Sequence, residues 1–337
     1  MATLQQALDD LRALNIPLNP PATVEELDRL QTLAVRPLPI ELRKLYQHHN
    51  GHELTFDPSI DDTKMVGLLF RLLRISEVIP LLEEMRQEWF ADTRDLLDLF
   101  LPCWSDDNGN YMILYVIGPL AGRVAYLDHE FGFTVSPRFR DLASYYTSLI
   151  QAAQANSYDL VMDYPALQEN LYYDVQDADA FNYCMQHYHK AQDENRRLFY
   201  AYNALYLCPL AKTSDLYTFL AEETSSVQGE VCEILAARNW TDAIPRLGEV
   251  VLARRVDSFV LAIEALGAIR DPAAAEELVR ITARMHPYDL LFVVTALKNH
   301  GYAVQAIPAS NGKYDTYQVR RLTDQEWIAI RGYDVEA

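Results

Sequence analysis

The spacing of apolar residues changes several times along the chain, and each change predicts an element. Val24, Leu27, Leu30 and Leu33 recur every three residues, the stripe of an amphipathic helix. Thr23-Val-Glu-Glu26 in front of it forms a capping box, with the Thr23 hydroxyl accepting a helical amide and Glu26 reaching back. Leu38-Pro39 opens a second helix, which carries Leu42 and Leu45-Tyr46 and ends at Asn50-Gly51, where glycine can turn left-handed. Residues 65–75 (MVGLLFRLLRI) read as a buried strand, and Ser76 as the cap of a helix bearing Val78, Leu81, Leu82 and Met85. Strand character follows in LFLPCW (99–104), YMILYVIG (111–118), RVAYLDHE (123–130) and FTVS (133–136), separated by polar or Gly-bearing turns. Such a run predicts a small antiparallel meander. A helix from Phe139 to Ile150 closes the series, so residues 1–155 read as an α+β domain.

Further on, a repeat replaces the alternation. Leu205, Leu235, Leu266 and Leu297 sit at steps of 30, 31 and 31, each followed by a break: Pro209, Trp240-Thr241, Asp271-Pro272 and Gly301. Leu247 and Leu278 repeat the 31-residue step, and Asp271-Pro272 has the chemistry of an N-cap and first helical residue. Residues 156–301 resemble HEAT-like repeats and are expected to form an all-α solenoid of about four helix pairs. Residues 302–337 alternate over Tyr302–Ile307 and Tyr314–Val319 around Asn311-Gly312, which predicts a terminal β-hairpin cap.

The string TVEELDRL…LPIELRKLY…HNG, then WSDDNGNYMILY and GRVAYLDHE, resembles the SUKH superfamily over about residues 20–150. The long insertion between Gly51 and Trp104 departs from that pattern. The resemblance implies a SUKH-like domain with a small antiparallel sheet flanked by helices. It also implies a non-enzymatic binding role, commonly that of a bacterial immunity protein that neutralises a toxin, often a nuclease.

Charge narrows the partner. In 337 residues, 48 acids against 29 bases leave a formal charge of −19. Phosphate binding needs clustered Lys and Arg, so nucleic acid and anionic membrane are not expected as partners, and a basic protein is. The start, MATLQQALDDLRALNIPL, places Asp9, Asp10 and Arg12 in its apolar region, so no signal peptide is expected. No window approaches the roughly 18–20 apolar residues of a membrane span. Cys103, Cys184, Cys208 and Cys232 are scattered and read as reduced, buried thiols, so a cytoplasmic location is expected.

Catalytic and metal chemistry finds no motif. His48, His49 and His52, with Asp57, Asp61 and Asp62 nearby, lack the spacing of a catalytic metal site and read as surface histidines at a helix end. Asp106-Asp-Asn-Gly-Asn110 begins like a calcium loop but has Tyr111 and Ile117 where Gly and Glu belong, so it reads as a hairpin turn. Glu83-Glu84, Glu222-Glu223 and Glu276-Glu277 read as solvated helix faces. No cofactor is expected and no enzyme.

The segment between Arg140 and Lys190 holds no Lys or Arg but many acids and tyrosines. Tyrosine covers apolar area at small entropic cost and keeps a wet hydroxyl, and carboxylates steer basic partners. Tyr158, Asp159, Asp163, Tyr164, Tyr172, Tyr173, Asp174 and Asp177 are therefore the candidate partner-binding residues. Asp61, Asp62, Asp106 and Asp107 are candidates for a second acidic contact. The alternative is that these tyrosines pack between the two domains while the acids keep the joint soluble. The leading expectation is an immunity protein that stoichiometrically blocks a basic, nuclease-like toxin domain. The alternative is an interaction scaffold of a housekeeping or regulatory pathway.

Overall fold

The computed structural model describes residues 3–14, 16–34, 37–53, 69–130, 134–157, 159–164, 175–222, 224–254, 258–308 and 316–330. They are mixed helix and sheet and divide into two compact units, with the boundary at Leu207 and Cys208.

In the first unit, helices α1 (Leu4–Ala13), α2 (Val24–Leu33) and α3 (Ile40–His48) precede strand β1 (Arg71–Leu72) and helix α4 (Ile75–Gln87). A short helix α5 (Arg94–Leu97) leads to β2 (Phe100–Ser105), β3 (Tyr111–Tyr115), β4 (Val124–Leu127) and β5 (Ser136–Phe139). Helices α6 (Leu142–Ala155), α7 (Val175–Lys190) and α8 (Glu194–Leu207) follow. The strands form one antiparallel meander in chain order.

Local chemistry explains most boundaries. Both bonds of the α2 capping box are present, Glu26 N–H to Thr23 Oγ1 at 3.2 Å and Thr23 N–H to Glu26 Oε2 at 2.8 Å. Gly51 has φ +87, and a Cβ there would lie 3.0 Å from both the Arg74 nitrogen and the Leu72 oxygen. Two boundaries and one helix differ from the sequence reading. Helix α4 starts at Ile75, because Glu77 reaches back to the Arg74 N–H at 2.7 Å, which leaves Ser76 inside the first turn. Residues 136–139 pair with β4, so the closing helix begins later, where Asp141 accepts the Ser144 N–H at 2.8 Å. Helix α1 was not expected. Its buried Ala7, Leu8 and Leu11 keep helical spacing, and it packs against α6.

Strands β2 and β3 are buried almost throughout rather than on alternate positions. Strands of that kind need cover on both faces. One face carries Trp104, Met112, Leu114, Val124 and Phe139 into a core shared with α1–α4 and α6. The other meets α8: Phe100 stacks on Phe199 at 6.5 Å, and the Tyr115 hydroxyl donates to Asn203 Oδ1 at 2.6 Å. The buried Asn203 also donates to the Val135 and Phe199 carbonyls. Helices α7 and α8 thus complete the first unit. The unit boundary therefore corrects the expected division at 155/156.

The second unit opens with a 3-10 run (Leu210–Ala221), then helices α9 (Ser225–Ala237), α10 (Ile244–Ala253), α11 (Ser258–Ala268), α12 (Pro272–Thr282) and α13 (Leu290–Asn299). Helix α11 lies between α9 and α13, and α10 beside α12, giving two layers. Leu235, Leu266 and Leu297 are all fully buried, and the Asp271 carboxylate caps α12 ahead of Pro272. Two complete helix pairs are present among the described residues where about four were expected, because Leu205 lies on α8 in the first unit. The tail forms a three-stranded antiparallel sheet, β6 (Tyr302–Ile307), β7 (Thr316–Arg321) and β8 (Ile328–Ile330). Alternation predicted the first two strands but not β8; Asn311-Gly312 lies outside the described residues.

Gly267 sets the approach of α11 to α13. A Cβ there would lie 2.8 Å from the Ala296 Cβ and 3.0 Å from its Cα, atoms that cannot rotate away. Gly267→Leu is expected to cost the second unit about 1–3 kcal/mol, read as a shift of its urea midpoint. An unshifted midpoint would contradict the packing of these two helices.

Candidate partner interface

Most described tyrosines of the acidic segment are interior, while Asp141, Asp159 and Asp179 are exposed. Tyr145 and Tyr146 are fully buried, Tyr164 and Tyr188 are buried, and Tyr183 is half-buried against His187. The Trp104 indole N–H donates to the Tyr146 hydroxyl at 3.1 Å, and the Trp104 ring meets Tyr145 edge-on at 4.9 Å. Burial drives the ionisation of both hydroxyls upward. These rings fasten α6 to the sheet.

Asp177 and Tyr164 belong to one buried polar network. The Asp177 carboxylate accepts from Arg123 Nη2 at 2.9 Å and from the Tyr164 hydroxyl at 2.7 Å. Arg123 also donates to the Pro119 carbonyl at 2.6 Å and to the Tyr164 oxygen at 3.2 Å. A guanidinium taken out of water needs a counter-charge and acceptors, and Asp177 supplies the charge. Neither Asp177 nor Tyr164 is a wet contact residue. This corrects the sequence reading, which took composition as a guide to exposure.

The remaining candidates separate. Asp163 is half-buried and accepts the Arg140 backbone N–H at 3.0 Å, while Asp159 is exposed. Asp106 accepts from the Asn108 and Asn110 backbone N–H groups and from the Asn110 side chain, so it closes the β2–β3 turn. Asp107, with φ 58, takes a two-pronged contact from Arg71 Nε at 2.8 and 2.9 Å. Asp106, half-buried, and Asp107, exposed, are thus both bonded within the unit. Tyr158, Tyr172, Tyr173, Asp174, Asp61 and Asp62 lie outside the described residues. No group of three His, Cys, Asp or Glu among the described residues is arranged to hold a metal ion, and none of the described helices is long and apolar enough to cross a membrane.

A different acidic surface lies on the second unit. The groove between α9 and α11, about 440 Å³, is lined by Glu233 and Glu264, by Leu261 and several alanines, and by Asn239 and Arg270. Partial burial, then Glu230 and Glu264, push the Glu233 carboxyl above its ordinary value. Elsewhere on this unit Phe259 meets Phe292 edge-on at 6.0 Å, and Leu291 and Tyr288 are 56% and 70% exposed. Repelling glutamates beside Leu261 and the alanines match a cationic side chain with an aliphatic stem.

The sequence reading missed this groove, although the repeat carried its signal. Glu233 and Glu264 stand one 31-residue step apart, so the register that aligned the leucines aligns them too. No protein-family model matches the chain, and no curated protein matches it at a significant level.

Proposed function

We propose that the chain is a non-enzymatic binding protein that stoichiometrically blocks a basic, nuclease-like toxin domain, as an immunity protein does. The observation that carries this reading is the α9–α11 groove, where the Glu233 carboxyl is raised by partial burial and by Glu230 and Glu264. A lysine or arginine entering the groove relieves that repulsion, and its aliphatic stem meets Leu261 and the alanines. The net charge of −19 adds long-range steering of a basic protein. The SUKH-like order of motifs in the first unit is the reason to name a toxin rather than another basic partner. Blocking of this kind is occlusion, with no turnover.

The test is rescue. This reading expects the gene to lie beside one for a large secreted protein with a toxic C-terminal domain. Cells making that domain should survive when they also make this chain. Glu233→Lys with Glu264→Lys should abolish survival while the protein accumulates to the same level. Absence of rescue by the unaltered chain, or full rescue by the double variant, counts against the reading. Co-purification with cellular proteins and no rescue would favour the scaffold.

A further inference from the structure

Three imidazoles meet in the first unit, just past the end of α3 and beside β1. His49 and His52 are buried and His48 is half-buried, so the histidines expected at the surface lie inside. Their neighbours explain why: Leu18 bridges to His52, Asn19 N–H donates to Gly51 O, and His52 N–H donates to Leu72 O. The Asn50 side chain joins the corner to α2 through Glu26 and to α4 through the Ile75 N–H.

Proton placement at this corner is tightly constrained. His48 Nδ1 and His49 Nδ1 are 2.9 Å apart, a contact that holds one proton. A second proton sets two N–H donors head to head. His52 Nδ1 faces the Leu72 N–H at 3.4 Å and can accept only when unprotonated. With Nδ1 accepting, neutral His52 already carries its proton on Nε2, so a further proton must go onto Nδ1 and break the Leu72 contact; the Nε2 atoms of all three rings are buried without a hydrogen-bond partner.

Nearby charges do little to offset this. Asp9 of α1 favours charged His48, whereas Arg12 of the same helix opposes charge on His48 and His49. From β1, Arg71 opposes charge on His52 while engaged by Asp107 and Glu77; the Phe70 carbonyl favours it. Glu26 bonds to Asn50, and Glu53 pairs with Arg74. Burial dominates, and the neighbouring rings and Arg12 add to it at His49. His49 is held down to about 3 and His52 to about 4.

We propose that the His48–His49–His52 corner is an acid-operated latch: neutral rings hold α3 to β1, and acidification opens this corner before the rest of the chain. The folded values lie below the ordinary value near 6.5, so an opened corner binds more protons below that pH. The latch is fully closed above pH 6.5 and weakens as pH falls toward 4. At pH 5.0 each of His49 and His52 shifts the open-to-closed ratio about 30-fold, together about 1,000-fold.

Hydrogen–deuterium exchange on the intact chain at pH 7.5 and 5.0, corrected for intrinsic rates, tests this. The amides of Asn19, Asn50 and His52 should lose about 1,000-fold protection at pH 5.0, while those of α11 keep theirs. In His49→Asn with His52→Asn that local loss should disappear. Unchanged wild-type protection, an equal loss in α11, or the same loss in the double variant would overturn the proposal. Should the double variant fail to fold, the imidazole proton shifts of the wild type decide: His49 and His52 rings silent down to pH 5 support the latch, and titration of either near 6.5 refutes it.

Discussion

Asp177→Ala is expected to destabilise the first unit by about 3–5 kcal/mol, a large share of the stability of an ordinary domain. The side chains of Arg123 and Asp177 are 6% and 2% exposed, so alanine strands a desolvated guanidinium. The same substitution removes the acceptor of the Tyr164 hydroxyl. Asp177→Asn keeps an oxygen for Arg123 and Tyr164 but loses the charge and turns an amide donor toward Arg140, so its cost should lie below that of alanine without vanishing. Asp177→Ala with Arg123→Leu should recover much of the loss, because no buried charge then remains. Urea titration followed by far-ultraviolet circular dichroism reads all three. A cost below about 1 kcal/mol for Asp177→Ala would return Asp177 to the solvent-facing role suggested by composition.

Trp104→Ala should cost a similar amount, about 3–5 kcal/mol. Trp104 is fully buried on β2, and its ring touches Tyr145 and Tyr146 of α6. Truncation opens a cavity and removes the donor to the Tyr146 hydroxyl. Tyr146→Phe, which keeps the ring, should cost only about 1 kcal/mol. Near-ultraviolet circular dichroism checks both, since the Trp104 variant should lose the aromatic signal of the first unit and the Tyr146 variant should keep it. A Trp104 variant as stable as the parent would mean that α6 does not close this face of the sheet.

Where bonding is local, the residues announced the fold. The Thr23–Glu26 box, the Asp271-Pro272 start and the Asp106 turn each involve partners within four residues, and each forms as expected. The repeat was legible for a related reason, because Leu235, Leu266 and Leu297 need a common register to share one core. What sequence reading misjudged depends on distant partners. Nothing near Asp177 in the chain announces Arg123, 54 residues away. Tyr145 and Tyr146 look like wet contact residues until Trp104 is placed against them. The unbroken apolar runs of β2 and β3 did hold a clue to the second helical layer, since a half-wet strand alternates. Burial at the histidine corner had no local signal at all.

These corrections move the proposed grip from the tyrosine-rich segment to the glutamates of the second unit. An interior network cannot steer a partner, whereas Glu233 and Glu264 line an open groove. The most direct measurement is the association rate between this chain and the toxin domain proposed as its partner, by stopped flow at about 20 and 200 mM salt. Glu233→Lys with Glu264→Lys should slow association about tenfold or more at the lower salt, and the gap should shrink at the higher. Equal rates for parent and variant at both salt concentrations, with folding intact, would contradict the account.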